Sequence, residues 1–252
     1  MLIRTEAIVL RNLDYRETSQ IVTLFTKEHG KVAVIAKGSR RAKSPFGSSL
    51  QPMSHTEVVY YSRSGRELQT LSESAHLRRY PAITSELDKI TLGLRMVELV
   101  HALMPSGEVQ ADVFLLLQAV FEKLEAAPDR WQNLWPFFQL RMAGVLGFYP
   151  AVTRDAVQEV VDSHGVLQLE TGSVASLDQF EGRAERASRQ ALRAFAVLAK
   201  AEIEVVLRMA LAPAEYAEVL RLTESYLRFH VEEAYPTRSA RVIAQLKSGG
   251  QQ

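Results

Sequence analysis

Residues 20–43 read QIVTLFTKEHGKVAVIAKGSRRAK, and this stretch decides the fold. Two runs rich in β-branched and aromatic residues, Gln20 to Thr26 and Lys31 to Ile35, flank a turn at His29-Gly30. Working outward, Thr5 to Arg11 is a run of the same kind before them. Thr56 to Tyr61 and Leu68 to Leu71 are two more after them. Asn12-Leu13-Asp14 and Ser62-Arg63-Ser64-Gly65 supply the breaks. Short strands separated by turn signals predict a sandwich or a small barrel. Several runs are apolar on both faces, which suits a closed barrel with helices packed against it.

The stretch ends in a basic loop. Gly38 to Gln51 (GSRRAKSPFGSSLQ) is rich in Ser, Gly and cations, and loops of that length tend to be functional or mobile. No acidic residue occurs between Glu28 and Glu57, whereas Lys31, Lys37, Arg40, Arg41 and Lys43 do. The whole chain of 252 residues has a formal charge of +1, unevenly spread. Residues 1–80 hold 13 Lys+Arg against 7 Asp+Glu, and the remainder holds 17 against 22. Such asymmetry points to a polyanionic partner.

From about residue 82 the apolar period becomes helical. Ser85 with Asp88 reads as a capping box. Leu87, Ile90, Leu94, Val97, His101 and Met104 form one stripe, and Leu92, Met96, Leu99 and Leu103 a second. That predicts a helix buried on two sides. A second helix carries Val113, Leu116, Leu117, Val120 and Leu124, and a third Leu134, Phe138, Met142 and Val145. Residues 151–172 break the pattern and predict a small hairpin turning at His164-Gly165. Helical spacing returns from Leu192 to Ala210 and from Tyr216 to His230, with a short helix expected over Pro236 to Lys247. The fold class is α+β in two parts: a barrel domain over 1–80, a mainly helical domain over 81–247, and a disordered tail over 248–252.

Composition removes several chemistries. Hydrophobic residues at 47% and charged residues at 23% exclude global disorder. The absence of Cys excludes disulfides, thiol nucleophiles and thiolate metal sites. No run of about 18 apolar residues is present to span a bilayer. The N-terminus lacks the features of a signal peptide, so a cytoplasmic location is expected. The P-loop, dinucleotide, zincin and nucleophile-elbow spacings are absent, and the six His residues show no metal-ligand spacing. No enzyme, cofactor or metal is expected. His101 and His230, on apolar stripes, are expected to be packed core residues.

What remains is the chemistry of holding a phosphate backbone, in which Lys and Arg displace counterions and aromatic faces stack bases. Lys37, Arg40, Arg41 and Lys43 are the primary candidates, with Arg11, Arg16, Arg66 and Arg238 as secondary ones. Phe46, an aromatic inside the polar loop, has two readings, a base-stacking ring or a loop anchor. Of Tyr60 and Tyr61, one at most points outward from the strand. An RNA-binding or adaptor module is the alternative to DNA binding, and an ATPase is a third class.

On these residues the chain resembles the bacterial recombination mediator RecO family. Residues 8–44 follow that family's opening pattern, including Glu17-Thr18-Ser19, Phe25-Thr26 with Gly30, and the Ala36-Lys37-Gly38-x-Arg40 run. Leu50-Gln51-Pro52, Leu68-Gln69-Thr70-Leu71, Phe138 to Phe148 and Arg238-Ser239-Ala240-Arg241 resemble later landmarks. Many relatives carry two Cys-x-x-Cys pairs after the Pro150 position, and this chain has none, so it resembles a zinc-free branch. The resemblance implies an OB-fold barrel followed by a helical domain. It implies a non-enzymatic DNA repair and recombination role: binding single- and double-stranded DNA, annealing strands, and loading recombinase onto strands coated with single-stranded-DNA-binding protein (SSB). The partners it implies are the acidic, apolar C-terminal tail of SSB, and RecR, at the nucleoid. A tail of that chemistry needs an apolar pocket rimmed by cations. Trp135, Phe138 and Arg141, with Lys123 nearby in sequence, are the candidates, and Phe138 has a second reading as plain core.

Overall fold

The computed structural model describes residues 1–160, 163–177 and 182–231. The chain forms two compact units, one of Met1–Ala126 and one that begins at Ala127.

In the first unit five strands close into a barrel: β1 (Leu2–Tyr15), β2 (Ser19–Thr26), β3 (Gly30–Ala36), β4 (His55–Tyr61) and β5 (Leu68–Arg78), in the order β1-β2-β3-β5-β4. Every expected run lies inside a strand, but β1 and β5 are longer than their apolar cores. In β5 the extension over Ser72 to Arg78 is mostly polar because one side of it meets water. β1 bends at an irregularity between Val9 and Arg11, which lets one strand pair with both β2 and β4. The double-faced apolar runs have a direct cause. Val9, Val22, Leu24, Val34 and Tyr60 fill the barrel, whereas Ile8, Phe25 and His55 stand on its outer wall yet are fully or almost fully buried. Phe114 covers that wall, its ring centroid 6.3 Å from that of Phe25 and 6.0 Å from that of His55.

Phe114 belongs to α3 (Ala111–Ala126), which with α1 (Pro81–Ser85) and α2 (Leu87–Leu103) completes this unit. Two expectations fail here. Ser85 ends α1, its hydroxyl donating to the Ala82 carbonyl, and no side chain caps α2. A helix beginning at Pro81 has already used Ser85, and the carboxylate of Glu125 caps α1 by accepting from Ala82 N and Ile83 N at 3.0 and 2.9 Å. The two stripes of α2 are also unequal. Leu92, Met96 and Leu99 are buried, while Leu87 is 77% and Leu94 39% exposed.

Gly30 explains how the α2–α3 connection meets the barrel. Its φ is +65°, and a Cβ there would fall on the Glu108 carbonyl, so only glycine fits. Beside it Lys31 Nζ donates to the His101 carbonyl at 2.7 Å, and burial lowers the Lys31 pKa.

The second unit contains α4 (Leu134–Val145), α5 (Arg154–Glu159), β6 (His164–Gln168), β7 (Val174–Ala175), β8 (Ala184–Ser188), α6 (Arg189–Lys200), α7 (Ile203–Val206) and α8 (Pro213–Val231). The expected hairpin over 151–172 is replaced by a helix and a sheet. Thr153 Oγ1 accepts from Ala156 N and starts α5, and His164-Gly165 opens β6, the central strand of a sheet ordered β7-β6-β8. The valines at 157 and 160 pack as a short helix and its exit, which the alternation of a hairpin had hidden. Helical spacing after Leu192 also stops early, α6 ending at Lys200. The helix expected after Pro236 and the tail at 248–252 lie outside the described residues.

Candidate nucleic-acid interface

The register of the barrel gathers the basic loop and the first hairpin at one place. β3 leaves the sheet at Ala36, paired with Gln20, so Lys37 emerges beside the Arg16-Glu17-Thr18 turn. Arg40 binds the two together. Its backbone N donates to the Thr18 carbonyl at 3.1 Å, and its guanidinium lies 3.2 Å from Asp14 and reaches the Arg16 and Glu17 carbonyls at 3.4 Å. Lys37, Arg41 and Lys43 are exposed, and among the described residues none of them meets a carboxylate. Three open cations therefore share the loop with a fourth that holds it in place.

Arg16 is exposed in the hairpin turn at φ +55°, its guanidinium 5.2 Å from the Tyr15 ring centre. An arginine in the left-handed region costs on the order of 1–2 kcal/mol, so the turn imposes this geometry against local preference. Arg11 is exposed on the outer wall, paired with Thr23. Arg66 is not brought to this cluster. Its loop enters β5 at Leu68, level with Ala33, four residues before Lys37 or about 13 Å along the strand direction. Arg238 lies outside the described residues.

Phe46 is the anchor of the loop. It is 6% exposed and packs in the barrel core with Leu50, and its carbonyl accepts from Ser49 Oγ at 2.6 Å. Its ring is not held out for bases, because the open mouth of the barrel gives an apolar side chain a core to join. The outward ring is Tyr61, 51% exposed, while Tyr60 points inward at 2%.

Tyr61 belongs to a row that sequence reading missed. Cross-strand pairs link Leu13 to Ile21, Ile21 to Ile35, Ile35 to Thr70, Thr70 to Tyr61 and Tyr61 to Leu2. All six face outward, opposite in sense to the barrel-filling residues beside them. Leu2 and Leu13 are 58% and 45% exposed. The signal available in the sequence was the doubled apolar face of each strand, but only pairing shows which faces the helices leave uncovered.

In the second unit the ring candidates are core: Trp135 is 3% exposed and Phe138 fully buried, because α4 is buried almost all round from Leu134 to Leu140. Arg141 is engaged within the unit. It donates to Tyr149 Oη at 2.8 Å and to the Ala199 and Ala201 carbonyls at 3.2 and 2.6 Å, and lies 4.9 Å from the Phe137 ring centre. It closes the carboxyl end of α6, where a helix leaves carbonyls without intrahelical donors. Lys123 sits on α3, in the other unit.

Burial lowers the pKa of His76, His101 and His230, with nearby cations adding to the effect at the first two. Among the described residues no group of three or more His, Asp or Glu could hold a metal ion, and no helix is long and apolar enough to cross a membrane.

A closed barrel in the β1-β2-β3-β5-β4 order, followed by helices, defines an OB-like barrel protein with a helical C-terminal region. Residues 1–80 match the model of the Recombination protein O N-terminal family, and residues 84–239 that of the Recombination protein O C-terminal family. The chain is 48% identical over 246 residues to a protein named DNA repair protein RecO from Salinibacter ruber, covering 98% of this chain and 95% of that one. It is 26% identical to the protein of that name from Chlorobium limicola, over 98% and 100% of the two chains. Over 149 residues it is 38% identical to the Geobacter sulfurreducens protein, covering 58% and 59%. The chain belongs to the Recombination protein O (RecO) family.

Proposed function

We propose that this chain works in DNA repair by binding DNA strands without any bond-making step. Phosphates lie on Lys37, Arg41 and Lys43, with Arg40 setting the loop and Arg11 and Arg16 extending the contact along β1 and its turn. Bases of a single strand rest on the outward row that includes Tyr61. A surface that neutralises two strands lowers their mutual repulsion, and annealing of complementary strands follows from that. Loading of recombinase onto SSB-coated strands, contact with RecR and with the SSB tail, and a place at the nucleoid belong to the same reading.

The observation that carries it is the presence of three open cations on one loop at the mouth of the barrel, pinned by Arg40 and Phe46. Replacing Lys37, Arg40, Arg41 and Lys43 with Ala and measuring oligonucleotide affinity against salt is the test. Each lost phosphate contact lowers the slope of the logarithmic plot by about 0.7 for single strands. An unchanged slope removes the loop from the site. Equal competition by RNA and DNA of one sequence would favour a general strand binder.

A further inference from the structure

A pocket of about 390 Å³ opens in the first unit among three pieces of chain: residues 48–54, into which the basic loop runs, the end of β5 and the start of α1. That volume falls in the range of small-ligand sites. Pro52, Met53, Tyr80, Pro81 and Ile83 give it an apolar wall.

The wall is held firmly. Met53 stands at φ +71°, a left-handed conformation that a side chain disfavours. β1 fixes it there, Met53 N donating to the Val9 carbonyl at 2.9 Å and Val9 N to the Ser54 carbonyl at 3.0 Å. The Met53 thioether lies over Gly93 of α2, where an added Cβ would collide with Sδ. Backbone strain kept in place beside a pocket is a recurrent mark of functional sites.

The polar groups of the pocket are in part unused. Arg78 pairs with Glu122 at 2.9 Å, and the Glu125 carboxylate is taken up by the first amides of α1. Arg79 is exposed and, among the described residues, meets no carboxylate. The Gln51 carboxamide has no hydrogen-bond partner among them either. Tyr80 is 8% exposed and its hydroxyl is also unpartnered. Burial pushes its pKa up to about 12, so it stays a neutral donor. Buried polar atoms are normally paired, so an orphan on a pocket wall invites a partner from outside the chain.

We infer that this pocket takes one unstacked nucleotide of a bound single strand. The base rests on the wall of Pro52, Pro81 and Tyr80, its polar edge meets Gln51, and its phosphate meets Arg79. Ring surfaces accept any base by its flat face, a carboxamide offers a base edge both donor and acceptor, and a guanidinium pairs with a phosphate. An aliphatic ligand would use the wall but leave Gln51 and Arg79 idle. The basic loop leads from Lys37 to this pocket, so a strand whose phosphates follow the loop arrives at it. Tyr61 stands at the other end of β4, six residues from His55 or about 20 Å away, so the pocket and the outward row hold different bases. The inference rests on the strand-binding reading above and adds a base site that a duplex, with its bases stacked, does not fill.

The test irradiates the full chain with two probes carrying 5-iodouracil, which cross-links under ultraviolet light to aromatic, His and Met side chains that it touches. One is an oligothymidylate of about 16 nucleotides substituted throughout, the upper site size of an OB fold. The other is free 5-iodo-2′-deoxyuridine 5′-monophosphate. The strand should leave adducts on Met53, His76 or Tyr80. Arg79→Glu should remove them, keep adducts at Tyr61, and weaken single-strand binding by about tenfold with duplex binding unchanged, as loss of one held base does. Thr84→Leu, which narrows the pocket from an exposed position, should act alike. Should it lower the unfolding midpoint, Arg79→Glu decides alone. A strand that leaves no adduct in the pocket overturns the inference, and so does an Arg79→Glu chain that keeps them. Pocket adducts from the free nucleotide alone overturn it by making this a site for a soluble ligand. Equal losses of single-strand and duplex binding in Arg79→Glu overturn it by making that residue a plain backbone contact. Oligothymidylate affinity of the unmutated chain is read separately: where it persists the strand-binding reading stands, and a chain that takes up no strand loses both.

Discussion

Arg40 Nη2 lies 3.2 Å from Asp14 Oδ2, joining the basic loop to the end of the first strand. Both side chains are well exposed, so the pair adds little stability, but it draws one of four loop cations toward a fixed carboxylate. Asp14→Asn should therefore raise single-strand affinity at low salt and steepen the salt slope by up to about 0.7, the share of one phosphate contact. Fluorescence anisotropy across a salt series is the measurement, and a lowered affinity would show that Asp14 matters more as a brace than as a competitor.

Phe46→Ala removes a buried ring from the barrel mouth. Loss of about 3–5 kcal/mol is expected for a ring in a packed core. Urea denaturation of the variant measures it. A change within about 0.5 kcal/mol, as for ordinary surface substitutions, would mean that the ring carries no packing role.

Tyr61→Ala separates the two DNA forms. A single strand exposes its bases, whereas a duplex hides them, so the substitution should cost single-strand binding about 1–3 kcal/mol. Duplex affinity and the salt slope should stay unchanged. Equal losses for both forms would count against stacking on the outward row.

Arg141→Ala takes away two hydrogen bonds donated to carbonyls at the end of α6, a third donated to Tyr149 Oη, and the guanidinium over the Phe137 ring. Destabilisation of about 1–3 kcal/mol is expected from loss of the bond to the Ala201 carbonyl, whereas the Ala199 carbonyl keeps its hydrogen bond from Tyr149 Oη. Calorimetric unfolding checks it, with oligonucleotide binding at 20 °C unaltered.

Stability should also fall on mild acidification. His76, His101 and His230 all have pKa values below the usual imidazole range, burial being the leading cause in each. Arg79 adds to it at His76, and Lys31 and Arg11 at His101. A lowered folded-state pKa means that the unfolded chain takes up protons first. Stability is then complete above about pH 6.5, declines as pH drops through that value, and levels off once the folded imidazoles protonate. Glu218, lowered chiefly by its hydrogen bond from Ser188, acts in a separate and more acidic window. Its contribution is present above the ordinary carboxylate range and lost as pH falls through its folded value. Urea midpoints at stepped pH measure both, and His230→Phe should flatten the upper part of the curve.

The barrel was legible because its strands carry apolar residues at strand spacing between turn residues, and the four loop cations stood out in a window without carboxylates. Other features escaped for identifiable reasons. The outer half of β5 is polar, so its run ended at Leu71 on the page and at Arg78 in space. Arg141 looked available because the carbonyls it meets belong to residues 58 and 60 positions away. The second reading of Phe46, as an anchor, holds because the barrel presents an open end to an apolar ring. The valines at 157 and 160 fit a strand and a short helix equally well, and the Thr153 cap places Val157 in α5 and Val160 at its exit.

Phe46 pegs one end of the basic segment, and β3 fixes the other. A charge array tethered twice surrenders little freedom when a polyanion arrives, so the ordering penalty on the proposed reading falls mostly on the incoming strand. A supple strand can drape itself to such an array, whereas a stiff duplex can reach only the cations that suit its pitch.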